Sequence, residues 1–208
     1  MIINFLGDSI TEGALASSQD KNYVQLVGKL LNCEVHNYGI SATRIAKQVI
    51  TSLDPVWDKY FAARVVNLDP KADYTIVFGG TNDYGHGDAP IGMVGDKTPD
   101  TFCGAVDHLC NELLKKFDKK QLIFLLPLYR KNENNPYGDG SKKTPSLTLQ
   151  GYRDLMVEVL KKYDVDIFDV KDLMGKPEDV NLYADGLHPN DKGHLKLANL
   201  IVEHIKAK

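Results

Sequence analysis

The sequence lacks an excess of basic residues. Its 208 residues include 25 Lys and Arg against 28 Asp and Glu, which gives a net charge of −3 at pH 7. Proteins that mainly bind nucleic acid or an anionic membrane usually carry a basic patch, so we expect neither partner here. Long apolar runs are also absent, since even a run such as residues 122–126 is far too short to cross a bilayer.

Cysteine is scarce. The three cysteines, Cys33, Cys103 and Cys110, are odd in number and show no CxxC spacing. We therefore predict that the three cysteines are small, buried apolar residues and not disulfide partners or metal ligands.

The first residues form a strand-like run that leads directly into Gly7, so we expect no signal peptide and a cytoplasmic protein. A secreted protein whose signal has been removed is the alternative.

The apolar residues that are present indicate an α/β fold. Five short runs are typical of buried parallel strands: residues 2–6, 34–38, 74–78, 122–126 and 166–169. Segments with helical spacing alternate with these runs, which predicts repeated βαβ units and a parallel sheet covered by helices on both faces. The length and the ordinary composition favour one domain over residues 1–208.

Three stretches depart from this alternation. Residues 45–69 are expected to be helical in part, because Ile45, Val49 and Leu53 follow helical spacing. Residues 84–100 and 129–146 contain many Gly, Pro and Asn residues, which predicts long loops after the third and fourth strands. Loops of this length in a compact domain are often functional, and ligands of open α/β sheets bind at the carboxyl ends of strands.

Ser9 directly follows the first predicted strand, in the motif Gly7-Asp8-Ser9. Its side chain should therefore stand at the carboxyl end of that strand, where Asp8 can accept hydrogen bonds from neighbouring amides. Such a serine is a candidate nucleophile. The alternative is a helix N-cap, since residues 9–12 also resemble a capping box. A phosphate-binding loop is a further alternative, but neither GxGxxG nor GxxxxGK[ST] occurs here.

A second motif, Asp185-Gly186-Leu187-His188, precedes the final predicted helix. Gly186 allows the backbone to fold back, so the Asp185 carboxylate can reach Nδ1 of His188. That hydrogen bond would select the tautomer in which Nε2 of His188 is a base. The alternative is a surface turn with a solvated histidine.

Gly39 ends the second predicted strand, and Asn82 follows the third in Gly80-Thr81-Asn82-Asp83. In a sheet ordered 2-1-3, both ends flank the end of the first strand. The Gly39 N–H, the Asn82 side-chain amide and the Ser9 N–H would then converge as donors to an oxyanion. The alternatives are a helix-entry turn at Gly39 and an Asx turn at Asn82.

Together, these four motifs resemble the signature blocks of the SGNH hydrolases, also called GDSL-type esterases. The resemblance runs in order from residue 7 to residue 188. It implies a flavodoxin-like three-layer α/β/α sandwich with a five-stranded parallel sheet of order 2-1-3-4-5. It also implies a catalytic triad of Ser9, Asp185 and His188, and an oxyanion hole formed by Ser9, Gly39 and Asn82.

Two positions depart from the family pattern. Ile10 stands where leucine is usual, a change that conserves volume. Ala42 stands where a second glycine often follows, which would alter the loop near the acyl pocket. The sequence of residues 7–13 is most similar to the carbohydrate-esterase and acetylesterase branches of the family.

These observations predict a serine esterase that needs no metal or organic cofactor and acts on a small-molecule or saccharide ester, with short acyl groups such as acetyl. Substrate contacts are expected from Asp8, Arg44, Tyr84 and Tyr129. Trp57, Phe61, His86 and Arg130 are further candidates, although ordinary packing explains Trp57 and Phe61 equally well. The alternatives are a thioesterase or lysophospholipase for longer chains, and a non-catalytic phosphate- or nucleotide-binding module. The oligomeric state stays open.

Overall fold

A parallel five-stranded sheet forms the centre of the molecule. The computed structural model describes residues 1–208, and its strands lie in the order 2-1-3-4-5. Every neighbouring pair of strands is parallel. The strands are β1 (Ile2–Gly7), β2 (Glu34–Gly39), β3 (Tyr74–Phe78), β4 (Leu122–Leu125) and β5 (Asp166–Phe168). The predicted strands and the predicted sheet order are confirmed.

Eight α-helices surround the sheet. They are α1 (Ser9–Glu12), α2 (Tyr23–Leu31), α3 (Phe61–Arg64), α4 (Thr81–Gly85), α5 (Phe102–Leu114), α6 (Leu149–Leu160), α7 (Lys171–Met174) and α8 (Asp191–Lys206). Short 3₁₀ turns lie at Gln19–Lys21, Pro55–Asp58, Val65–Asn67, Lys119–Gln121 and Lys161–Tyr163. No helix combines the length and the apolar character that crossing a membrane requires.

The helices cover both faces of the sheet, because successive strand side chains point in opposite directions. On one face, Leu6, Val77 and Phe124 pack with α3, α5 and α6. On the other face, Phe5 and Ile76 pack with α2 and α8. Two separate apolar cores result, and the predicted three-layer α/β/α sandwich is confirmed.

Residues 45–69 are helical in part, as predicted, because they contain α3 and two 3₁₀ turns, but residues 45–54, where the helical spacing lies, contain no helix. Val49 is 70% exposed and Leu53 is 99% exposed, so their helical spacing does not mark a buried face. Backbone N–H groups of the stretch donate instead to the carboxylates of Asp83 and Asp88, at 2.7–2.9 Å. These carboxylates come from a distant part of the chain and take donors that a helix would pair internally.

Both long loops are confirmed. The chain has neither helix nor strand between α4 and α5 or between β4 and α6. The first loop begins two residues later than predicted, because Tyr84 and Gly85 complete α4. The cysteines are free, with Cys103 and Cys110 buried and Cys33 half-buried.

Ala42 should limit the stability of the loop after β2. Its φ of +61° lies in the left-handed region, which disfavours residues with a Cβ by about 1–2 kcal/mol. We expect Ala42→Gly to raise the free energy of unfolding by about 1 kcal/mol, measured by urea denaturation. Ala16 also lies in a loop but has no positive φ. Ala16→Gly is therefore the control and should lower stability slightly; equal effects of the two substitutions would contradict the interpretation.

Candidate active site

The nucleophile candidate lies where β1 passes into α1. Ser9 is the first residue of α1, and Asp8 is its N-cap, with Oδ1 accepting from the Ile10 N–H at 3.0 Å. Ser9 is thus not the cap itself. The exit from β1 requires Gly7, because a Cβ there would overlap the Thr11 side chain and the Phe78 carbonyl oxygen.

Ser9, His188 and Asp185 form a continuous chain of hydrogen bonds. Ser9 Oγ lies 2.9 Å from His188 Nε2, although 179 positions separate the two residues. His188 Nδ1 lies 2.7 Å from Asp185 Oδ2. The predicted triad residues are therefore brought together at the carboxyl edge of the sheet, in the order that proton transfer from a serine hydroxyl requires.

A tight turn holds Asp185 against His188. Gly186 has a φ of +84°, and Asp185 Oδ1 accepts from the backbone N–H groups of Leu187 and His188 at 2.9 and 2.7 Å. Partial burial raises the pKa of Asp185, but the hydrogen bonds from the His188 side chain and from these two backbone N–H groups outweigh it. The pKa of Asp185 therefore lies below its usual value, and the group is a carboxylate at neutral pH.

Two of the three residues predicted to form the oxyanion hole have an N–H group left free to donate. Ser9 occupies the first turn of α1, where backbone N–H groups have no partner within the helix. Asn82 Nδ2 donates one hydrogen to the Thr43 carbonyl oxygen at 3.0 Å. A side-chain amide carries two hydrogens, so the second one is available to a substrate.

The Gly39 N–H was predicted to be a free donor, but it already has a partner. It donates to Asn37 Oδ1 at 2.8 Å, while Asn37 Nδ2 donates to the Thr11 carbonyl at 2.7 Å. For Gly39 to bind an oxyanion, Asn37 must release or share that hydrogen. A glycine is nevertheless required here, because a Cβ would overlap the backbone nitrogen of Glu12 in α1.

Asp8 is a buried carboxyl group beside the nucleophile. Burial raises its pKa to about 6, while the hydrogen bond from Ile10 and the charges of His188 and Arg64 act in the opposite direction. The structure thus uses Asp8 as a cap for α1 and gives it no direct cationic partner.

Of the two tyrosines predicted to contact substrate, the prediction for Tyr84 is wrong and that for Tyr129 stays a prediction. Tyr84 is fully buried, and its hydroxyl donates to the carbonyl oxygens of Asn132 and Asn135. Tyr129 is half-buried, and its hydroxyl donates to Asp172 Oδ1 at 2.6 Å. Both tyrosines hold loops in place, a role that their positions after strands did not reveal.

A cavity of about 1140 Å³ lies between residues 42–57, residues 86–91 and residues 141–147, and neither Ser9, Asn82 nor His188 is among its lining residues. Ala42, Arg44, Trp57 and His86 contribute to its wall, so three of the expected mouth residues do lie around one space. Arg44 itself is buried and donates to Ala42 O at 2.8 Å and Ser52 Oγ at 3.1 Å. The other two candidates, Phe61 and Arg130, are buried and belong to the packing.

Two buried charged residues near the site were not predicted. Asp83 accepts from the N–H groups of Ile45 and Ala46 at 2.9 Å and so ties the loop after β2 to α4. Burial raises its pKa, and these two hydrogen bonds oppose the shift. Its place next to Asn82 in the same motif could have indicated a role. Arg64, at the end of α3, carried no such signal.

No group of three or more His, Cys, Asp or Glu side chains is placed to hold a metal ion.

Comparison with known proteins identifies a matching family. A model described as the GDSL-like lipase/acylhydrolase family matches residues 5–196. No curated protein matches the chain.

Several solved structures share the fold. A protein from Lactobacillus plantarum is 24% identical with a TM-score of 0.82, over 99% of this chain and 96% of that one. A lipase/acylhydrolase from Enterococcus faecalis is 21% identical with a TM-score of 0.67, over 99% and 95%. A two-domain esterase active on acetylated mannans, co-crystallized with mannopentaose, is 20% identical with a TM-score of 0.66, over 100% of this chain and 49% of that one.

The buried Asp8 carboxyl should make stability depend on pH. Because its pKa rises from 3.8 to about 6 on folding, the native state holds a proton that the unfolded chain has lost between these values. Stability from this group is therefore present in acid and is lost as the pH rises through about 6. Asp8→Asn keeps the cap acceptor without the charge. Its stability relative to wild type should increase by about 3 kcal/mol from pH 3.5 to 8, and a constant difference in urea unfolding would contradict this assignment.

Proposed function

The chain belongs to the GDSL-like lipase/acylhydrolase family, and from this membership and the geometry of the site we propose that it is a serine esterase working through an acyl-enzyme. One observation carries the proposal: the hydrogen-bonded chain from Ser9 Oγ through His188 to Asp185, with distances of 2.9 and 2.7 Å. These distances suit proton transfer from the hydroxyl to the imidazole without rearrangement.

Hydrolysis then follows in two steps. Ser9 Oγ attacks the ester carbonyl while His188 Nε2 accepts the hydroxyl proton. The resulting oxyanion accepts hydrogen bonds from the Ser9 N–H and the Asn82 side-chain amide. The Gly39 N–H becomes the third donor once it is released from Asn37 Oδ1. His188 returns the proton to the alcohol as it leaves. Water repeats the sequence on the acyl-enzyme, which releases the acid and restores Ser9. The Asp185 carboxylate keeps Nδ1 protonated and stabilises the imidazolium.

The substrate we propose is a short acyl ester, such as an acetyl group, on a carbohydrate or similar alcohol. The cavity lined by Ala42, Trp57 and His86 is far larger than an acetyl group needs, and two of these residues follow Gly39 and Asn82 closely in the sequence, so we assign it to the alcohol portion. Trp57 presents a partly exposed indole to it, with polar neighbours such as Gln48 and Ser52. A structural neighbour acts on acetylated mannans, which agrees with this substrate class.

A second candidate function is a thioesterase or lysophospholipase for longer acyl chains. The exposed side chains of Val49, Ile50 and Leu53 along the same cavity favour this alternative, because they would contact an alkyl chain.

For either substrate we propose that the protein is one domain and needs no cofactor. The free cysteines agree with a reducing compartment such as the cytoplasm.

Replacing the nucleophile tests the mechanism. Ser9→Ala should reduce p-nitrophenyl acetate hydrolysis to near the uncatalysed background, a loss on the order of 10⁶-fold. A fluorophosphonate probe should label Ser9 in the wild-type protein and leave the variant unlabelled. The unfolding curve of the variant is the control for an intact fold. Retained turnover, or an absence of labelling, would instead favour a non-catalytic binding module.

A series of p-nitrophenyl esters from acetate to octanoate separates the two candidate substrates. For the short-chain esterase, kcat/KM should fall steeply beyond butyrate, because the cavity then serves the alcohol portion. Leu53→Ser, on the cavity wall, should leave that profile unchanged. A rise towards octanoate that Leu53→Ser abolishes would establish the long-chain alternative.

A further inference from the structure

We propose that Arg64 is a positioning residue for the oxyanion hole, whose buried guanidinium orients the Tyr38–Gly39 peptide and joins it to the segments that carry Ser9 and Asn82. The inference rests on the proposed esterase function and deepens it. None of the family signature motifs contains Arg64, which lies at the end of the four-residue helix α3.

Arg64 touches each of these segments directly or through one residue. Its side chain is 4% exposed. Nη1 donates to the carbonyl oxygens of Gly7 at 3.1 Å and of Tyr38 at 2.7 Å. Nη2 donates to Thr43 Oγ1 at 3.1 Å. The Thr43 carbonyl in turn accepts the hydrogen bond from Asn82 Nδ2 at 3.0 Å.

The contact with Tyr38 determines how the Gly39 N–H points. The Tyr38 carbonyl and the Gly39 N–H belong to one planar peptide unit, so holding the oxygen fixes the direction of the hydrogen on the other side. That hydrogen is bonded to Asn37 Oδ1 at 2.8 Å, so Arg64 holds the peptide in place while Asn37 shares or releases the hydrogen to the oxyanion. A charged donor on that carbonyl also polarises the N–H and strengthens it as a donor. The Gly7 carbonyl accepts from the Ile40 N–H at 3.1 Å as well, which locks the end of β2 beside the end of β1.

Ion pairing does not explain why a cation is buried here. The buried arginines Arg44 and Arg153 each have an aspartate within 4 Å, at 3.4 and 2.6 Å, whereas the buried arginines Arg64 and Arg130 have none. Burying a charge without a partner is costly and needs a compensating role. A cation behind the donors would favour the negative charge that develops on the substrate oxygen.

Arg64 keeps its charge in the working pH range. Burial lowers the pKa of the guanidinium to about 10, and the Asp8 carboxylate opposes the shift. The planar group reaches two carbonyl oxygens and one hydroxyl at once, which the point charge of a lysine cannot reproduce. The Phe61 ring lies 4.6 Å below the guanidinium carbon and holds its plane.

Matched lysine substitutions test the proposal. Arg64→Lys should lower kcat for p-nitrophenyl acetate by about 10²- to 10³-fold, as expected for one impaired oxyanion donor, with KM unchanged within about threefold. Arg153 is equally buried but bonds only to the Pro127 carbonyl and Asp169. Arg153→Lys is therefore the control, and it should lose stability while keeping kcat.

Chemical rescue separates positioning from simple structural support. Arg64→Ala leaves space for a free guanidinium ion, which should restore kcat at least about tenfold, while methylammonium should not. A folded Arg64→Lys protein with wild-type kcat, an equal loss of kcat in Arg153→Lys, or an absence of guanidinium rescue would each overturn the proposal. Labelling of wild-type Ser9 by the fluorophosphonate keeps the tests distinct, because its failure counts against the esterase and not against Arg64 alone.

Discussion

The site depends on the hydrogen bond between the Ser9 hydroxyl and the His188 imidazole, which joins the two ends of the chain. The parallel sheet places Ser9 at its carboxyl edge, but a separate set of contacts brings His188 there. Asp191, at the start of α8, accepts from the backbone and side chain of Ser17 at 2.8 Å and from Lys21 at 2.8 Å. The first turn of α8 is thereby bonded to the segment that follows α1, which places His188, just before α8, close to Ser9.

Around this bond the protein buries three charged residues. Asp8, Asp83 and Arg64 are all nearly inaccessible, and burial shifts each pKa towards the neutral form. Each of these side chains bonds to backbone groups of the loops at the carboxyl edge. The common result is a set of rigid loops, which is what preorganised stabilisation of an oxyanion demands.

Sequence reasoning succeeded where the determining interactions are local and failed where another segment intervenes. The short apolar runs predicted the five strands, because the apolar residues that bury a strand lie next to one another in the sequence. The same reasoning predicted a helix near Val49, and it was wrong because Asp83 and Asp88 take the backbone donors there. Tyr84 was expected to face substrate, but carbonyl oxygens about 50 residues further along the chain bind its hydroxyl inside the fold.

The sequence by itself determined the fold class and the order of the signature motifs, and it predicted the Asp185–His188 contact because only three positions separate the two residues, with Gly186 between them. The tertiary structure decided which groups meet across the sheet. It joined Ser9 to His188, gave the Gly39 N–H to Asn37, and placed Arg64 beneath the Tyr38–Gly39 peptide. These contacts depend on the register of β1 with β2 and on where α3 ends, which are properties of packed elements and not of adjacent residues.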